Sequence, residues 1–303
     1  MKLSTRDAFK HIENSNQVVE LAGKNLRRLQ DVLYSMLVDI DEVCRASDIE
    51  YTLSGGTCLG SIRHQGFIPW DDDIDINLNR NDYQAFIDAF AKAKGDKYWI
   101  HQPGITKGYE LGFARVRLRG TVVRSKEDFG KEECGAYIDI FIVENTPDLY
   151  PARAFHGFVS MALGFAYSCR RFAIHADEYL SLVQEGSKEA DSFKLKIHIG
   201  RLFSFLSVES WIHLWDRWNS LSRNQKSRYV SIPTGQKHYF GELYKRNDFF
   251  PVSRGVFESL EAPLPANPDA YMQALYGSDY MIPPDEANRE KHVVLEFDLG
   301  QYA

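Results

Sequence analysis

The sequence predicts an α+β protein in which helices flank a mixed β-sheet and a helical insertion interrupts the chain. Apolar residues at helical spacing fill the first 50 positions, and short segments of strand-like alternation follow. A helical, aromatic-rich segment begins after Pro147, and strands, turns and prolines return from residue 229. We therefore divide the chain into a core with an N-terminal helix, residues 1–150, a helical region, 151–228, and a mixed segment returning to the core, 229–303, as one integrated unit.

The elements of the first half follow from their periodicity. Residues 17–47 predict one amphipathic helix, because Leu26, Leu29 and Leu33 begin a series at helical spacing. Helical turns are expected at 57–64, and Asn79 or Asn81 is suited to cap a further helix. Strands are expected at 50–53, 73–78, 97–101, 110–118, 121–125 and 137–143.

Composition excludes several classes of protein. Lys and Arg number 36 against 42 Asp and Glu, a net charge of −6 without basic runs, so no nucleic-acid partner is expected. The 4 cysteines form no CxxC pair, which argues against a zinc ribbon or a disulfide scaffold and favours a cytoplasmic location. The polar segment 1–17 does not resemble a signal peptide, and the longest apolar stretch, 154–169, is too short and polar for a transmembrane segment.

The densest chemical feature is the acidic run Asp71-Asp72-Asp73-Ile74-Asp75. In a strand Asp73 and Asp75 project to one face, where their carboxylates can share a hard cation such as Mg²⁺, with Mn²⁺ as an alternative. Asp139 lies in the apolar segment YIDIFIV and needs a partner if buried. If its strand lies beside that of Asp73 and Asp75, three carboxylates converge. An EF-hand is rejected, because Ile76 occupies the position of its glycine, whereas a solvated acidic turn stays an alternative.

A glycine turn precedes the acidic run. Ser54, Gly55, Gly56 and Thr57 stand between a predicted strand and helical turns, where glycines and a helix N-terminus can approach a phosphate. Alone, this turn is more often structural. Followed by Asp-x-Asp and by a later strand with an embedded Asp, it has the order typical of the nucleotidyltransferase (polymerase β-like) fold, so residues 1–150 are predicted to be its catalytic core.

The motifs support a closer resemblance. The segment YTLSGGTCLGSIRHQGFIPWDDDIDINL strongly resembles the central motif of the LicD family, which includes fukutin and fukutin-related protein. YIDIFIVENTPD is similar to the family's DIFPLD strand, although Ile142-Val143 replaces Pro-Leu. A C-terminal segment also resembles the family's signature: PLPANPDAYMQALYGSDYMIPPDEANREKH.

The resemblance implies a phosphotransferase. Such an enzyme moves a phospho-alcohol, phosphocholine above all, from a CDP-activated donor to a sugar hydroxyl and releases CMP. The implied acceptors are glycan or lipid-linked glycan precursors of lipopolysaccharide, capsule or teichoic acid. The implied place is the bacterial cytoplasm, with peripheral contact at the inner face of the membrane. The rival hypotheses are an ordinary nucleotidyltransferase that places NMP from an NTP on a small molecule, and a non-catalytic glycan-binding relative.

The resemblance also implies residue roles. Asp73, Asp75 and Asp139 would hold Mg²⁺, Asp71 would ligate a second metal or act as the base, and Asp72 would have a supporting role. The remaining nucleotide-binding candidates are Ser54, Gly55, Gly56, Thr57, Arg63 and His64. His64 is equally compatible with a structural role. Because like charges would repel there, Asp73→Asn and Asp139→Asn are expected to stop turnover and leave the fold intact.

Several side chains have two interpretations. Arg115 and Arg117 share one face of a predicted strand, where a solvated basic face is favoured over contact with a diphosphate. Trp70 is a candidate for stacking on cytosine or a sugar, whereas core packing is favoured for the tryptophans of 211–218. The aromatic helices of 154–221 are expected to cover the sheet, with contact to a membrane surface as the alternative. His292 and the turn around Asp285 are candidates to border the site.

Overall fold

The structure is a computed structural model that describes residue 19, residues 21–286, residue 289 and residues 292–302. The polar N-terminal segment, the start of the helix predicted from residue 17, and part of the C-terminal motif around residues 287–291 lie outside the described residues. Every structural statement below refers to the described part of the chain.

A seven-stranded mixed sheet forms the centre of the protein, which confirms the α+β class. Its main path runs β1–β2–β6–β4–β3, and β7 joins β6 to β8. β2 and β6 are parallel and the other pairs are antiparallel. The strands are β1 (Tyr51–Leu53), β2 (Asp75–Asn79), β3 (Tyr98–His101), β4 (Ala114–Leu118), β5 (Val122–Ser125), β6 (Tyr137–Asn145), β7 (Tyr229–Ser231), β8 (Leu243–Lys245), β9 (Ser253–Phe257), β10 (Leu260–Leu264) and β11 (Val294–Asp298). β9 with β10, and β5 with β11, form two further antiparallel pairs.

Helices surround the sheet and fill the segment between β6 and β7. They are α1 (Gly23–Ala46), α2 (Gly55–His64), α3 (Arg80–Lys94), α4 (Tyr150–Ile174), α5 (Ala176–Ser181), α6 (Lys188–Leu202), α7 (Val208–Asn219), α8 (His238–Gly241), α9 (Arg246–Phe249) and α10 (Pro268–Tyr276). Helical structure between β6 and β7 agrees with the sequence pattern, whereas the three-part division of the chain stays a prediction. Among the described helices, none combines the length and apolar character needed to cross a membrane.

One face of the sheet carries the main core. Alternate residues of the central strands, including Ile76, Ile138 and Ile140, are fully buried in one cluster with side chains of α1 and α3. Because successive strand residues point to opposite faces, this alternation turns Asp75, Asp139 and Arg115 to the other face. The sequence thus builds a rigid apolar layer beneath a charged one.

The boundaries differ from the predicted ones in one place that matters for the site. β2 begins at Asp75 rather than at residue 73, because the chain first makes a turn in which the Asp71 N–H donates to the Ile68 carbonyl at 2.9 Å. Asp73 therefore precedes the strand, yet Asp73 and Asp75 line the same cavity. The Asn79 cap is confirmed, since its side chain accepts a hydrogen bond from the Asn81 N–H.

Arg80 ties the helical region to the core. Its guanidinium pairs with buried Glu144 on β6 and, at 2.6 Å, with Asp216 on α7. Replacing Arg80 with Met leaves the Glu144 carboxylate buried without its cation, so we expect Arg80→Met to lower the free energy of unfolding by roughly 3–5 kcal/mol. Denaturant unfolding measures this loss.

The matched control is Arg27→Met on α1. Arg27 pairs with Asp31 one turn away, and both side chains are more than half exposed, at 58% and 59%. Its loss should change stability by less than about 0.5 kcal/mol. Equal effects of the two substitutions would show that burial of the Arg80 pair contributes nothing.

Candidate active site

A cleft opens on the charged face of the sheet, between the start of α2 and the C-terminal part of the chain. Its empty space, including the open mouth, is about 590 Å³. Predicted site residues that line it are Ser54, Gly55, Gly56, Asp71, Asp73 and Asp75. The cleft thus brings together the glycine turn, which follows β1, and most of the acidic run, which precedes the neighbouring strand β2.

A row of polar residues crosses the floor of this site. Asp75 on β2 is the register partner of Asp139 on parallel β6, and Asp139 is paired with Arg115 on β4. At one end of the row His101 pairs with Arg115, and at the other the Ser54 N–H donates to the Asp75 carbonyl at 2.9 Å. The expectation that the Asp139 strand lies beside that of Asp75 is confirmed.

The Asp139 carboxylate forms a bidentate ion pair. Arg115 Nε and Nη2 donate to Asp139 Oδ1 and Oδ2 at 2.5 and 2.8 Å, and the guanidinium lies 3.7 Å from the centre of the Tyr137 ring. Burial raises the pKa of Asp139, and Arg115 opposes this rise. Asp139 does not line the cleft, so Arg115 is its direct partner in the structure.

The favoured interpretation of Arg115 and Arg117 as a solvated basic face is wrong. Each residue is only 1% exposed, because β4 lies inside the sheet between β3 and β6. Arg117 donates to Asp128 Oδ1 at 2.5 Å, so both cations are neutralised within the protein. Removing the charge of Asp139 would break its bidentate pair with Arg115 and leave Glu127, 3.7 Å away, within ion-pair distance, so we expect Asp139→Asn to lower stability.

Asp75 stands among other carboxylates at the floor of the cleft. Burial, followed by the nearby charges of Asp73 and Asp139, raises the pKa of Asp75 well above its usual range. Its backbone N–H donates to Thr57 Oγ1 at 2.9 Å, so the Thr57 side chain holds α2 against β2. Thr57 is not among the residues that line the cleft. A cation at this point would relieve the repulsion that Asp75 experiences.

His292 binds the acidic run from the C-terminal side. Its Nδ1 lies 2.6 Å from Asp72 Oδ1, and its Nε2 lies 3.5 Å from Asp73 Oδ2. Burial opposes protonation of the ring, but the two carboxylates raise the pKa of His292 well above its usual range. Asp72, Asp73 and His292 each offer one ligand atom within 4.8 Å of the others, so this group has the spacing of a metal site. Its composition differs from the predicted set of Asp73, Asp75 and Asp139.

The glycine turn lies directly against the acids. A side-chain carbon at Gly56 would lie 2.9 Å from Asp71 Oδ2, and one at Gly55 would lie 3.5 Å from Asp75 Oδ2. Gly55 also has a φ of +48°, a conformation that other residues rarely adopt. The Gly55 N–H donates to the Tyr271 hydroxyl at 3.1 Å, and the side chain of the N-cap residue Ser54 makes no capping hydrogen bond. Glycine is therefore required here both for space and for backbone conformation.

Arg63 and His64 lie at the far end of α2, away from the cleft wall. Arg63 Nη1 donates to the Tyr280 carbonyl at 2.9 Å, and burial together with Arg63 lowers the pKa of His64. A neutral His64 packed edge-on against Trp70 favours the structural interpretation of this residue. Trp70 itself lies under the Arg289 guanidinium at 4.1 Å, and buried Trp211 and Trp215 fit the expected core packing.

The opposite wall of the cleft was largely missed by the sequence argument. The missed residues that line the cleft are Phe141 on β6, Gly235, Gln236, Glu242, Tyr271, Leu275 and Tyr276. His292, which was expected to border the site, lines it as well. Tyr271, Leu275 and Tyr276 belong to the C-terminal segment that resembles the family signature, so the motif was a usable signal. No pattern pointed to Glu242, a residue 3% exposed whose Oε1 accepts from the Lys237 N–H at 2.9 Å. Burial raises the pKa of Glu242 to about 7.

Comparison with known proteins agrees with this arrangement. The family model described as LicD/FKTN/FKRP, nucleotidyltransferase domain, matches residues 48–153, which include the glycine turn, the acidic run and Asp139. The chain is 25% identical over 284 residues to lipopolysaccharide cholinephosphotransferase LicD of Haemophilus influenzae, covering 88% of this chain and 96% of that protein. It is 44% identical over 123 residues to the uncharacterized protein RT0683 of Rickettsia typhi, covering 41% of this chain and 38% of that protein.

The matched region and the motifs coincide. The segment that forms the floor of the cleft, with β1, α2, β2 and β6, lies within residues 48–153, and the similarity to the Haemophilus protein covers 88% of the chain. The resemblance drawn from the motifs is confirmed: residues 48–153 match the LicD family model, and the chain is similar to a LicD protein along 88% of its length.

Proposed function

We propose that this protein is a metal-dependent phosphotransferase that moves a phospho-alcohol, phosphocholine above all, from a CDP-activated donor to a sugar hydroxyl of a cell-surface glycan precursor. CMP is the leaving group, and the core of residues 1–150 is assigned to the nucleotidyltransferase (polymerase β-like) fold. One observation carries the proposal: the glycine turn at the start of α2 and the carboxylates of Asp71, Asp73 and Asp75 line one cleft. Similarity to a lipopolysaccharide cholinephosphotransferase along 88% of the chain supports the choice of reaction.

The donor set of the cleft suits a hard divalent cation. Asp73 and Asp75 are the ligands that we assign to Mg²⁺, or to Mn²⁺ as the alternative, because carboxylate oxygens are preferred by both ions. The raised pKa of Asp75 fits this assignment, since burial and the nearby carboxylates of Asp73 and Asp139 disfavour a negative charge that a cation would stabilise. When bound, the ion supplies positive charge to the donor diphosphate and to the departing CMP. Asp139, the third residue of the predicted set, is paired with Arg115. We therefore assign it the role of positioning Asp75 from the neighbouring strand rather than of binding the ion directly.

The protein residues then have distinct tasks. The first turn of α2, from Ser54 to Thr57, offers N–H groups and the positive end of the helix dipole to the diphosphate. Asp71 accepts the proton of the attacking sugar hydroxyl. The sugar oxygen forms a bond to the phosphorus of the phospho-alcohol as the bond between that phosphorus and the CMP oxygen breaks. Arg63 and His64 lie at the other end of α2 and stabilise the helix. In this proposal the N-terminus of α2 binds the diphosphate.

The far wall of the cleft suits a cationic alcohol. Glu242 offers a buried carboxylate, and Phe141 and Tyr276 offer aromatic faces in the same cleft. A quaternary ammonium group binds aromatic faces and carboxylates, whereas ribitol or glycerol offers neither a positive charge nor the same apolar surface. This wall is our reason for placing choline before other alcohols.

The first test is a ligand panel followed by thermal shift, with and without Mg²⁺: CDP-choline, CDP-ribitol, CDP-glycerol, CDP-ethanolamine, CMP, CTP and ATP. We expect metal-dependent stabilisation by CDP-choline, of about 2.7 kcal/mol at a hundredfold excess over its Kd. Release of CMP from CDP-choline in the presence of a glycan acceptor then tests the reaction itself. A response confined to CTP or ATP would instead identify an ordinary nucleotidyltransferase, and silence across the panel would identify a non-catalytic relative.

Two isosteric substitutions separate catalysis from folding. Asp75→Asn and Asp139→Asn should each lower the rate of transfer by more than about a hundredfold, because each removes charge from the floor of the site. Their effects on unfolding should differ. Asp75 has a raised pKa, so its charged form is disfavoured in the folded state at neutral pH, and Asp75→Asn should leave stability unchanged or increase it.

Asp139→Asn should instead lower the free energy of unfolding by roughly 3 kcal/mol, because Arg115 loses its buried partner. Transfer rates and denaturant unfolding are measured on both proteins. Wild-type transfer by the Asp75 variant would remove this carboxylate from the mechanism. Full stability of the Asp139 variant would show that Arg115 finds another partner.

Recognition of choline by Glu242 predicts a pH dependence. The pKa of Glu242 is raised to about 7, so the carboxyl is neutral at lower pH and gains its charge as the pH rises through this value. The affinity for CDP-choline divided by that for CDP-glycerol should therefore rise severalfold between about pH 6 and about pH 8. CDP-glycerol is the control for every group that binds the shared CDP part. In Glu242→Gln this affinity ratio should be low and should not change with pH. A ratio that still rises with pH in this variant would show that Glu242 does not bind the choline cation.

A further inference from the structure

The helix α4 has an unusual solvent-facing surface. It leads from the end of β6 into the helical region, and one side packs on the neighbouring helices: the Tyr167 ring stacks on Trp215 of α7, and Gly200 of α6 lies against the Cys169 carbonyl. The side that faces solvent is equally apolar. Every exposed residue between 149 and 165 is apolar or aromatic: Leu149, Tyr150, Pro151, Ala152, Phe155, Phe158, Met161, Ala162 and Phe165.

The largest of these side chains form one continuous strip, which we call the α4 surface: Leu149, Tyr150, Phe155, Phe158, Met161 and Phe165. Phe155, Phe158 and Phe165 follow helical spacing, and Phe155 and Phe158 are 63% and 69% exposed. Helix α1 has almost the same length, yet its exposed positions include Lys24, Asp31 and Glu42. A helix that is apolar on all sides is typical of a buried element, so the α4 surface is suited to be covered.

Basic residues outnumber acids around the α4 surface. Residues 149–176 contain three arginines and no Asp or Glu, in a chain that has 42 acidic residues and a net charge of −6. Arg171 donates inward to the Glu127 carbonyl, and Arg153 and Arg170 are partly exposed. On the adjoining helix α6, Lys194 and Arg201 are exposed together with one acid, Asp191, and the exposed Asp148 directly precedes the α4 surface. Apolar side chains bordered by basic ones fit an anionic lipid surface, because the rings enter the headgroup region and the cations meet lipid phosphates. A second copy of the chain on this surface would bring two basic sets together, which is unfavourable.

The α4 surface also adjoins the cleft. Gly157 lies on α4, and a side-chain carbon there would be only 2.5 Å from ring atoms of both Tyr239 and Phe240. These two residues belong to the segment that supplies Gly235, Gln236 and Glu242 to the cleft wall, and Phe240 is itself 49% exposed. A lipid surface that contacts α4 therefore lies beside the wall opposite the acidic residues.

From these observations we propose that the α4 surface docks the protein on an anionic lipid bilayer. The apolar side chains insert at the level of the headgroups, and the basic residues of α4 and α6 contact the lipid phosphates. The inference goes beyond the proposed transfer reaction and does not depend on it, because lipid binding is measured without turnover.

The test is flotation of the full chain with vesicles of phosphatidylcholine alone, and with vesicles of phosphatidylcholine mixed with phosphatidylglycerol. We expect the wild-type protein to float with the anionic vesicles and much less with the neutral ones. The double variant Phe155→Gln/Phe158→Gln should lower the partition coefficient by about tenfold or more, since two large apolar side chains no longer insert.

Val38→Gln is the matched control, because Val38 is an exposed apolar residue on the solvent side of α1, at 39% exposure. Its partition should equal that of the wild type. Both variants replace exposed side chains, and unchanged melting temperatures would show that the fold is retained. Absence of wild-type binding, or binding that survives the double substitution, would overturn the proposal. So would a dimer, detected by light scattering without vesicles, that the double variant abolishes, because the occupant would then be a second copy.

Discussion

The parallel pairing of β2 with β6 places the carboxylates of Asp75 and Asp139 side by side, where their negative charges repel each other. The other charged residues of the site are arranged around this pair. Asp75 and Asp139 are register partners on a buried layer, where like charges are costly. Arg115 compensates one of them from the next strand, and it is held in place by the Tyr137 ring. Only Asp75 and the acids before β2 are left to face the cleft. The sheet thus divides its acids into one neutralised group and one that attracts cations.

Two parts of the chain with different character meet at the cleft. The floor comes from strands whose alternate residues are locked in the main core, so its carboxylates have little freedom to move. The opposite wall comes from loops and the short helix α10, in which Tyr271 contacts Ser54 and the Gly55 N–H through its hydroxyl. The floor is thus rigid and charged, whereas a wall built from loops and short helices can vary in sequence without disturbing the core.

The sequence predicted the floor well and the walls poorly, for physical reasons. Strand alternation and glycine placement are local properties, so the β1–α2–β2 unit, the neighbouring strand of Asp139 and the residues of the turn were predictable. Arg115 was misassigned because its burial depends on which strands flank β4, and periodicity within one strand does not reveal its neighbours. The strand start at Asp75 depended on a turn closed by the Ile68 carbonyl. Glu242 gave no signal, because a single acid in a loop becomes part of a site only when distant segments meet.

The contact of Tyr271 with the start of α2 has a consequence for the newly made protein. The two segments are separated by 217 positions in the chain, counted between Ser54 and Tyr271, and His292 reaches the acidic run from still later. During synthesis the glycine turn and the acids emerge long before the wall that completes them. A nascent chain that ends before Tyr271 therefore contains the acidic residues of the cleft but not its C-terminal wall. The cavity is completed only after residues 271–292 have been synthesised.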